Sequence, residues 1–385
     1  MPTRFAWSKQ HDVSTGTPSK RRRTSRAEQE QNPCESSPGV QNTQAGEVPQ
    51  PATSSSVVLE VENWMLKKEI KRLEAEVEKN SRRFAFSQIS GDDKLVQYYT
   101  SLPSASIFRT LVTYVSLCEF GYHRFAVTNL PLEDQILLVL MRLRHNFGNV
   151  DLATRFAISV GTVSNIFRTF VALFAKALYE PVLGGKMPGR EKNMTELSAS
   201  FEKFKNCRSI LDCTELRMEV PDATTAKSST YSAYKSYNTF KVMVGAAPNG
   251  VINYVSPVYG GNASDRHIVQ DSGILKEFVT GDLIIADKGF AMKDIVPEGV
   301  EVNTPAFLFN TQFTKHEVIH NREVAEARIH IERAIARLKL YKILDSVPAQ
   351  YRDIIDKIVR ACAILTTLQP RIIASHRLQN RAHSD

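Results

Sequence analysis

The sequence predicts an α/β protein: a mixed sheet with flanking helices, preceded by an all-α segment. Three observations carry that prediction. From about residue 206 the chain turns into short apolar runs separated by turns, as strands do. One of those turns is Pro248-Asn249-Gly250, a hairpin signal because Asn and Gly tolerate positive φ. After the strands come two long segments with apolar residues at helical spacing, and strands followed by helices imply helices packed on a sheet.

Composition narrows the field before any motif is read. The 385 residues suggest two or three domains, and 42% apolar with 23% charged residues fits a chain able to bury a core. A net charge of +8 favours an anionic partner such as nucleic acid, although charge alone is weak evidence. The five cysteines, Cys34, Cys118, Cys207, Cys213 and Cys362, form no C-x-x-C pair. Neither a disulfide framework nor a cysteine zinc site is expected, and a reducing compartment is. The longest apolar runs, such as Ile136 to Met141, fall far short of the roughly 20 residues of a bilayer span. No apolar run follows Arg4 and Lys9 as in a secretory signal. Membrane-spanning and secreted readings are set aside.

Residues 1–57 are rich in Ser, Thr, Gln, Pro, Glu and Gly, and are expected to be disordered because they carry too little apolar area to offset ordering entropy. Within them, Pro18-Ser19-Lys20-Arg21-Arg22-Arg23 reads as a nuclear-import signal, a phosphate contact or a solvated charge cluster. Residues 58–82 change character. Leu59, Leu66 and Leu73 recur every seven residues, and Asn63, Ile70 and Val77 fill the other seam. This is an a/d heptad pattern in which a polar Asn would favour a parallel homodimer in one register. The alternative is a short amphipathic helix packed on its own domain.

Residues 92–182 read as helical. Leu130-Pro131-Leu132-Glu133-Asp134 opens a helix, with Pro and acids in its first turn, and Gly148-Asn149 breaks it. A short helix over Asp151–Ala157, a tight turn at Ile158–Gly161 and a second helix from Thr162 describe a helix-turn-helix. In that motif the second helix enters the major groove. Thr162, Ser164, Asn165 and Arg168 would form the reading face, with Val163, Ile166 and Phe167 inward. A helical hairpin without DNA contact fits the same pattern.

Residues 206–372 hold the expected sheet. Arg208–Glu215, Phe240–Ala247, Val251–Ser256 and the wholly apolar Leu283–Ala286 read as strands. A helix from about Asn321 to Leu340 buries Val324, Ala327, Ile331, Ile335 and Leu338, and another spans about Tyr351 to Leu368. Residues 373–385 form a tail. Three acids stand out: Asp212 in an apolar strand, Asp287 at the end of a buried one, and Glu332 beside the helix stripe. Singly, each has a plain alternative as an edge residue, a turn or a solvated helix acid. Together they could converge on divalent cations, because all-oxygen ligands suit Mg²⁺ or Mn²⁺. Two such ions about 4 Å apart would hold the attacking and leaving oxygens of a phosphodiester. Lys235, Lys241 and Lys288 lie near and could hold phosphates. His316 and His320 share a helix face without the acid of a zinc protease and read as structural.

These residues carry a resemblance. The strings Leu211-Asp212-Cys213-Thr214-Glu215, Tyr231 to Lys241, Gly260-Gly261-Asn262-Ala263-Ser264-Asp265, Ala286-Asp287-Lys288-Gly289-Phe290 and Ala327 to Lys339 resemble, in order and spacing, the PIF/Harbinger group of DDE transposases. That resemblance implies an RNase H-like nuclease domain, a preceding helix-turn-helix, and Asp212, Asp287 and Glu332 as the metal-binding triad. It implies a divalent-metal-dependent endonuclease that cuts double-stranded DNA at transposon ends and joins the 3′-hydroxyl to target DNA, in the nucleus. A host-adopted DNA-binding protein without catalysis is the alternative. Asp265 belongs to a recurrent Ser-Asp of the family. Relatives often begin with a zinc-binding THAP module, which residues 1–57, with Cys34 alone, cannot build. End recognition would then rest on the helix-turn-helix or an accessory DNA-binding protein.

Overall fold

The computed structural model describes residues 54–81, 83–194, 199–306 and 314–371, together with Leu197 and Gln312. The basic string Pro18–Arg23 and the tail 373–385 lie outside the described residues. No single described helix is long and apolar enough to cross a membrane.

The chain divides into two compact units, with a boundary after Ser81. In the first, Ser54–Ser81 is one uninterrupted helix of 28 residues, α1. Leu59, Leu66, Ile70, Leu73 and Val77 of its heptad seam are all exposed. The Asn63 amide donates to the Leu59 carbonyl at 3.0 Å, inside its own helix.

The second unit opens with helices: α2 (Asp93–Thr100), α3 (Ala105–Ser116), α4 (Leu132–His145), α5 (Asn149–Arg155) and α6 (Val160–Leu173). The last continues through a π-helical turn, Phe174–Tyr179, into α7 (Glu180–Val182), and α8 (Arg190–Met194) follows. The middle of α4 is apolar on every side, and Ile136 through Met141 are wholly buried there. It starts after Pro131 as the sequence predicts. Asp134, read as a first-turn acid for the helix dipole, is instead buried and accepts the Phe86 backbone N–H at 2.9 Å.

Helices α5 and α6 make the helix-turn-helix. The turn differs from the sequence reading. Ser159 caps α6 by accepting the Thr162 N–H, so Gly161 already lies in the first helical turn. The left-handed residue is Ala157, at φ 51°. The chain reverses there because Ile158 N–H closes back onto the Ala153 carbonyl.

The sheet comprises β1 (Cys207–Arg217), β2 (Tyr231–Ser232), β3 (Tyr237–Ala246), β4 (Ile252–Val255), β5 (Tyr259–Gly260), β6 (Leu283–Ala286) and β7 (Glu301–Asn303). Strand β3 is antiparallel to β1, and its other edge is shared by β2, β5 and β4. Strands β6 and β7 extend the sheet in parallel from β1. The order β4-β3-β1-β6-β7, with β3 alone reversed, is the RNase H-like mixed sheet. Gly250 supplies the left-handed φ of 80° at the β3–β4 hairpin.

The helices among and after the strands are α9 (Thr224–Thr230), α10 (Asp265–Asp271), α11 (Lys315–Leu338) and α12 (Ile355–Thr366). Helix α11 begins six residues earlier than its apolar stripe predicts, because a Thr314–Glu317 capping box nucleates it in solvent before it reaches the sheet. Its stripe, Val324, Ala327, Ile331, Ile335 and Leu338, is buried as expected. Helix α12 is shorter than predicted because Ala349–Ile354 forms a 3₁₀ turn after Pro348.

Alternation along the strands divides the core in two. Ile210, Leu216, Val242, Val244 and Ile285 share one cluster with α11, α12 and the N-terminal helices. Leu211, Met243, Ile284 and Ala286 share the other with α10. The leading ends of β1 and β6 are tied by a buried ion pair. Asp282, fully buried, takes Arg208 at 2.8 Å, Arg190 at 3.2 Å and the Val279 N–H at 2.9 Å. Removing one partner of such a pair strands a buried charge. Asp282→Ala is therefore expected to destabilise the fold by about 3–5 kcal/mol in denaturant titrations. A cost below about 1 kcal/mol would show that Arg208 reaches water instead.

Candidate active site

Parallel pairing of β1 and β6 aligns Leu211 with Ala286. The next residue after each is an aspartate, so Asp212, in the middle of β1, and Asp287, just past the end of β6, stand side by side. Both follow positions of the α10 face, and alternation turns both to the α11 face. Each is held by its own backbone: Asp212 Oδ1 accepts the Cys213 N–H, and Asp287 Oδ1 accepts the Lys288 N–H, both at 2.8 Å.

Helix α11 crosses this end of the sheet. Arg328, largely buried, reaches Asp287 Oδ1 at 3.2 Å. Glu332 lies one turn further along the same face and is exposed. Two turns beyond it, Lys339 senses the charges of Asp345, Glu215 and Asp212. Burial holds the Lys339 ammonium below its ordinary pKa, helped by the charge of Lys235. Glu332 is thus bracketed by two cations that each interact with one of the aspartates. Burial pushes the Asp212 carboxyl up to about 6, opposed by Arg328 and the Cys213 N–H and reinforced by Asp287 and Asp265.

The chemistry of this set fits a hard divalent cation: carboxylate oxygens, one of them desolvated beside two like charges. Among the described residues, no three His, Cys, Asp or Glu side chains are drawn closely enough to hold an ion as they stand. The structure brings Asp212 and Asp287 together, with Glu332 exposed on α11 one turn from Arg328. His316 is exposed and His320 half-buried on α11, and neither joins such a group.

The basic and reading-face residues divide. Lys235 is exposed, its ammonium 4.6 Å from the Tyr234 ring centre, and Lys288 is exposed beside Asp287. Lys241, read as a phosphate contact, is paired instead with Asp265 at 2.7 Å and with the Ala263 carbonyl. On α6, Thr162 and Ser164 are half-buried near the helix start, with the Thr162 hydroxyl 2.9 Å from that of Ser159. Asn165 does not face outward. It is buried, accepting the Arg124 N–H and donating to the Phe125 carbonyl. Arg168 is engaged with Asp353 at 2.6 Å and with the Gln350 carbonyl, its guanidinium over Tyr351. Val163, Ile166 and Phe167 are wholly buried, as predicted.

Sequence reasoning missed Arg328 and Lys339 as parts of the site. Their spacing of four before and seven after Glu332 was a signal, since both offsets return to one helix face.

Residues 211–367 match the family model of the DDE superfamily endonuclease, and residues 128–180 match the helix-turn-helix of DDE superfamily endonuclease. No curated protein matches the chain. The fold and these two matches support a transposase-like endonuclease of the DDE superfamily preceded by a helix-turn-helix of the same kind.

The raised Asp212 pKa has a consequence for the metal-free fold. Its protonated form contributes stability that is complete below pH about 4 and lost as pH rises through about 6. Asp212→Asn is expected to flatten this dependence and stabilise the metal-free protein by about 2 kcal/mol at pH 8. Denaturant titrations with chelator, from pH 4 to 8, measure it. An unchanged pH profile would show that Asp212 is solvated.

Proposed function

We propose that the protein is a divalent-metal-dependent nuclease of PIF/Harbinger type. It would cut phosphodiester bonds at transposon ends and join the resulting 3′-hydroxyl to target DNA. The observation that carries this reading is the pair Asp212 and Asp287, neighbours across parallel strands, with Arg328 of α11 in contact with Asp287 one helical turn before Glu332. Asp212, Asp287 and Glu332 would hold two Mg²⁺ or Mn²⁺ ions. Bound, these supply Lewis acidity that activates water or a 3′-hydroxyl and stabilises the leaving oxygen. The chain's own residues orient the DNA. Lys235, Lys288 and Lys339 present positive charge around the carboxylates to the phosphate backbone. Arg328 orients Asp287 and offsets the repulsion between the aspartates. The start of α6, with Thr162 and Ser164, is the part of the helix-turn-helix left to meet DNA, in the nucleus and in concert with an accessory DNA-binding protein.

Incubation with Mg²⁺ and DNA taken from both sides of the gene tests this. The wild type should nick and join, and Asp212→Asn, Asp287→Asn and Glu332→Gln should each reduce cleavage to background. One observation favours a second reading, a host-adopted DNA-binding protein without catalysis. Arg328 already neutralises Asp287. Under that reading the wild type cuts no better than Asp287→Asn while both still bind DNA.

The exposed seam of α1 is proposed to pair with a second copy of the chain, Asn63 facing Asn63. Sedimentation should give a dimer mass for the wild type and a monomer mass when Leu59, Leu66 and Leu73 are changed to Ser. A wild-type monomer at micromolar concentration would remove the coil.

A further inference from the structure

Asp265 and Lys241 have no part in the chemistry above, yet both lie against it. They approach from the α10 face, opposite the side of the sheet where α11 meets the aspartates. Lys241 alternates with Phe240 and Val242, which belong to the α11-side core, so it projects to the other face. There its ammonium pairs with Asp265 Oδ1 at 2.7 Å and donates to the Ala263 carbonyl at 3.1 Å. Both side chains are mostly buried, at 15% and 23% exposure. Asp265 is the first residue of α10, whose start is fixed by the Ser264 cap.

The Asp265 carboxylate then lies near the residues that follow both aspartates. Its charge acts on the Cys213 thiol, next in sequence to Asp212. Burial holds that thiol protonated, well above its ordinary range. Its other oxygen closes on Gly289, two residues past Asp287. A Cβ built there would lie 3.0 Å from Asp265 Oδ2, with no positive φ to strain the backbone. Any side chain at 289 would press on this carboxylate. One buried ion pair therefore backs the residue after Asp212 and the turn after Asp287 at once.

We infer that Lys241 and Asp265 form a brace behind the sheet that sets the separation of Asp212 and Asp287, and are positioning residues of the proposed reaction. The inference rests on the metal-dependent reading above. Groups that orient ligands from behind typically cost 10–100-fold in metal affinity or activity when removed.

The test is Mn²⁺ binding by calorimetry, with single-turnover cleavage alongside, on the full chain. Lys241→Met and Asp265→Asn should each weaken Mn²⁺ binding about tenfold and slow cleavage, with the DNA concentration for half-maximal rate unchanged. Lys241→Arg, which keeps the charge, should recover most of both. Gly289→Ala should weaken Mn²⁺ binding in the wild type and add nothing in Asp265→Ala, where the carboxylate it presses on is gone. A purely structural ion pair would lower the melting temperature without moving Mn²⁺ affinity. Wild-type Mn²⁺ affinity in Lys241→Met, or an undiminished Gly289→Ala effect in Asp265→Ala, would overturn the brace. Asp287→Ala separates this from failure of the metal reading. If it abolishes Mn²⁺ binding while the brace variants do not, the brace alone fails. If it changes nothing, the metal site fails and the brace with it. Should Lys241→Met not fold, the Gly289→Ala and Asp265→Ala pair decides.

Discussion

The site depends on one backbone constraint, the parallel register that pairs Leu211 with Ala286. Side chains alternate along a strand, so a slip of one residue would turn one aspartate to the opposite face. The register is held from both sides of the sheet. Ile210 and Ile285 are buried against the helical core, while Leu211, Ile284 and Ala286 are buried against the α10 side. At the leading end, the Asp282–Arg208 pair adds a charge-specific clamp. A register fixed by burial on two faces leaves the strand ends free to carry groups that burial alone would reject.

Asp212 shows what that rigidity permits. A carboxyl pushed up to about 6 beside two other acids is unfavourable by itself. It persists because the surrounding fold over-determines its place. Arg328 from one face and Lys241 from the other bring positive charge to the cluster, pairing with Asp287 and Asp265.

The helical half is part of the same construction. Phe167 packs on Tyr351, and Arg168 binds Asp353, so the second helix of the helix-turn-helix rests on the segment leading into α12. Docking to the nuclease half therefore consumes residues that an isolated motif would offer to DNA. What remains outward is the start of α6. This links the position of any bound duplex to the position of the carboxylates.

Much of this was legible in the sequence. Local chemistry determines where strands and helices form. Short apolar runs mark β1 and β6, Asn249-Gly250 marks the hairpin, and the α11 stripe is the buried stripe. The order of the acidic strings pointed to Asp212, Asp287 and Glu332 through resemblance rather than through spacing. Only tertiary structure could decide which polar groups were free. Asn165 and Lys241 look from the sequence like ligand-binding side chains, and both are satisfied internally, by residues some 20 to 40 positions away. Arg168 is claimed from still further along the chain. A hydrogen bond or ion pair is set by distance in space, and residue order carries almost no information about it once the chain has folded back.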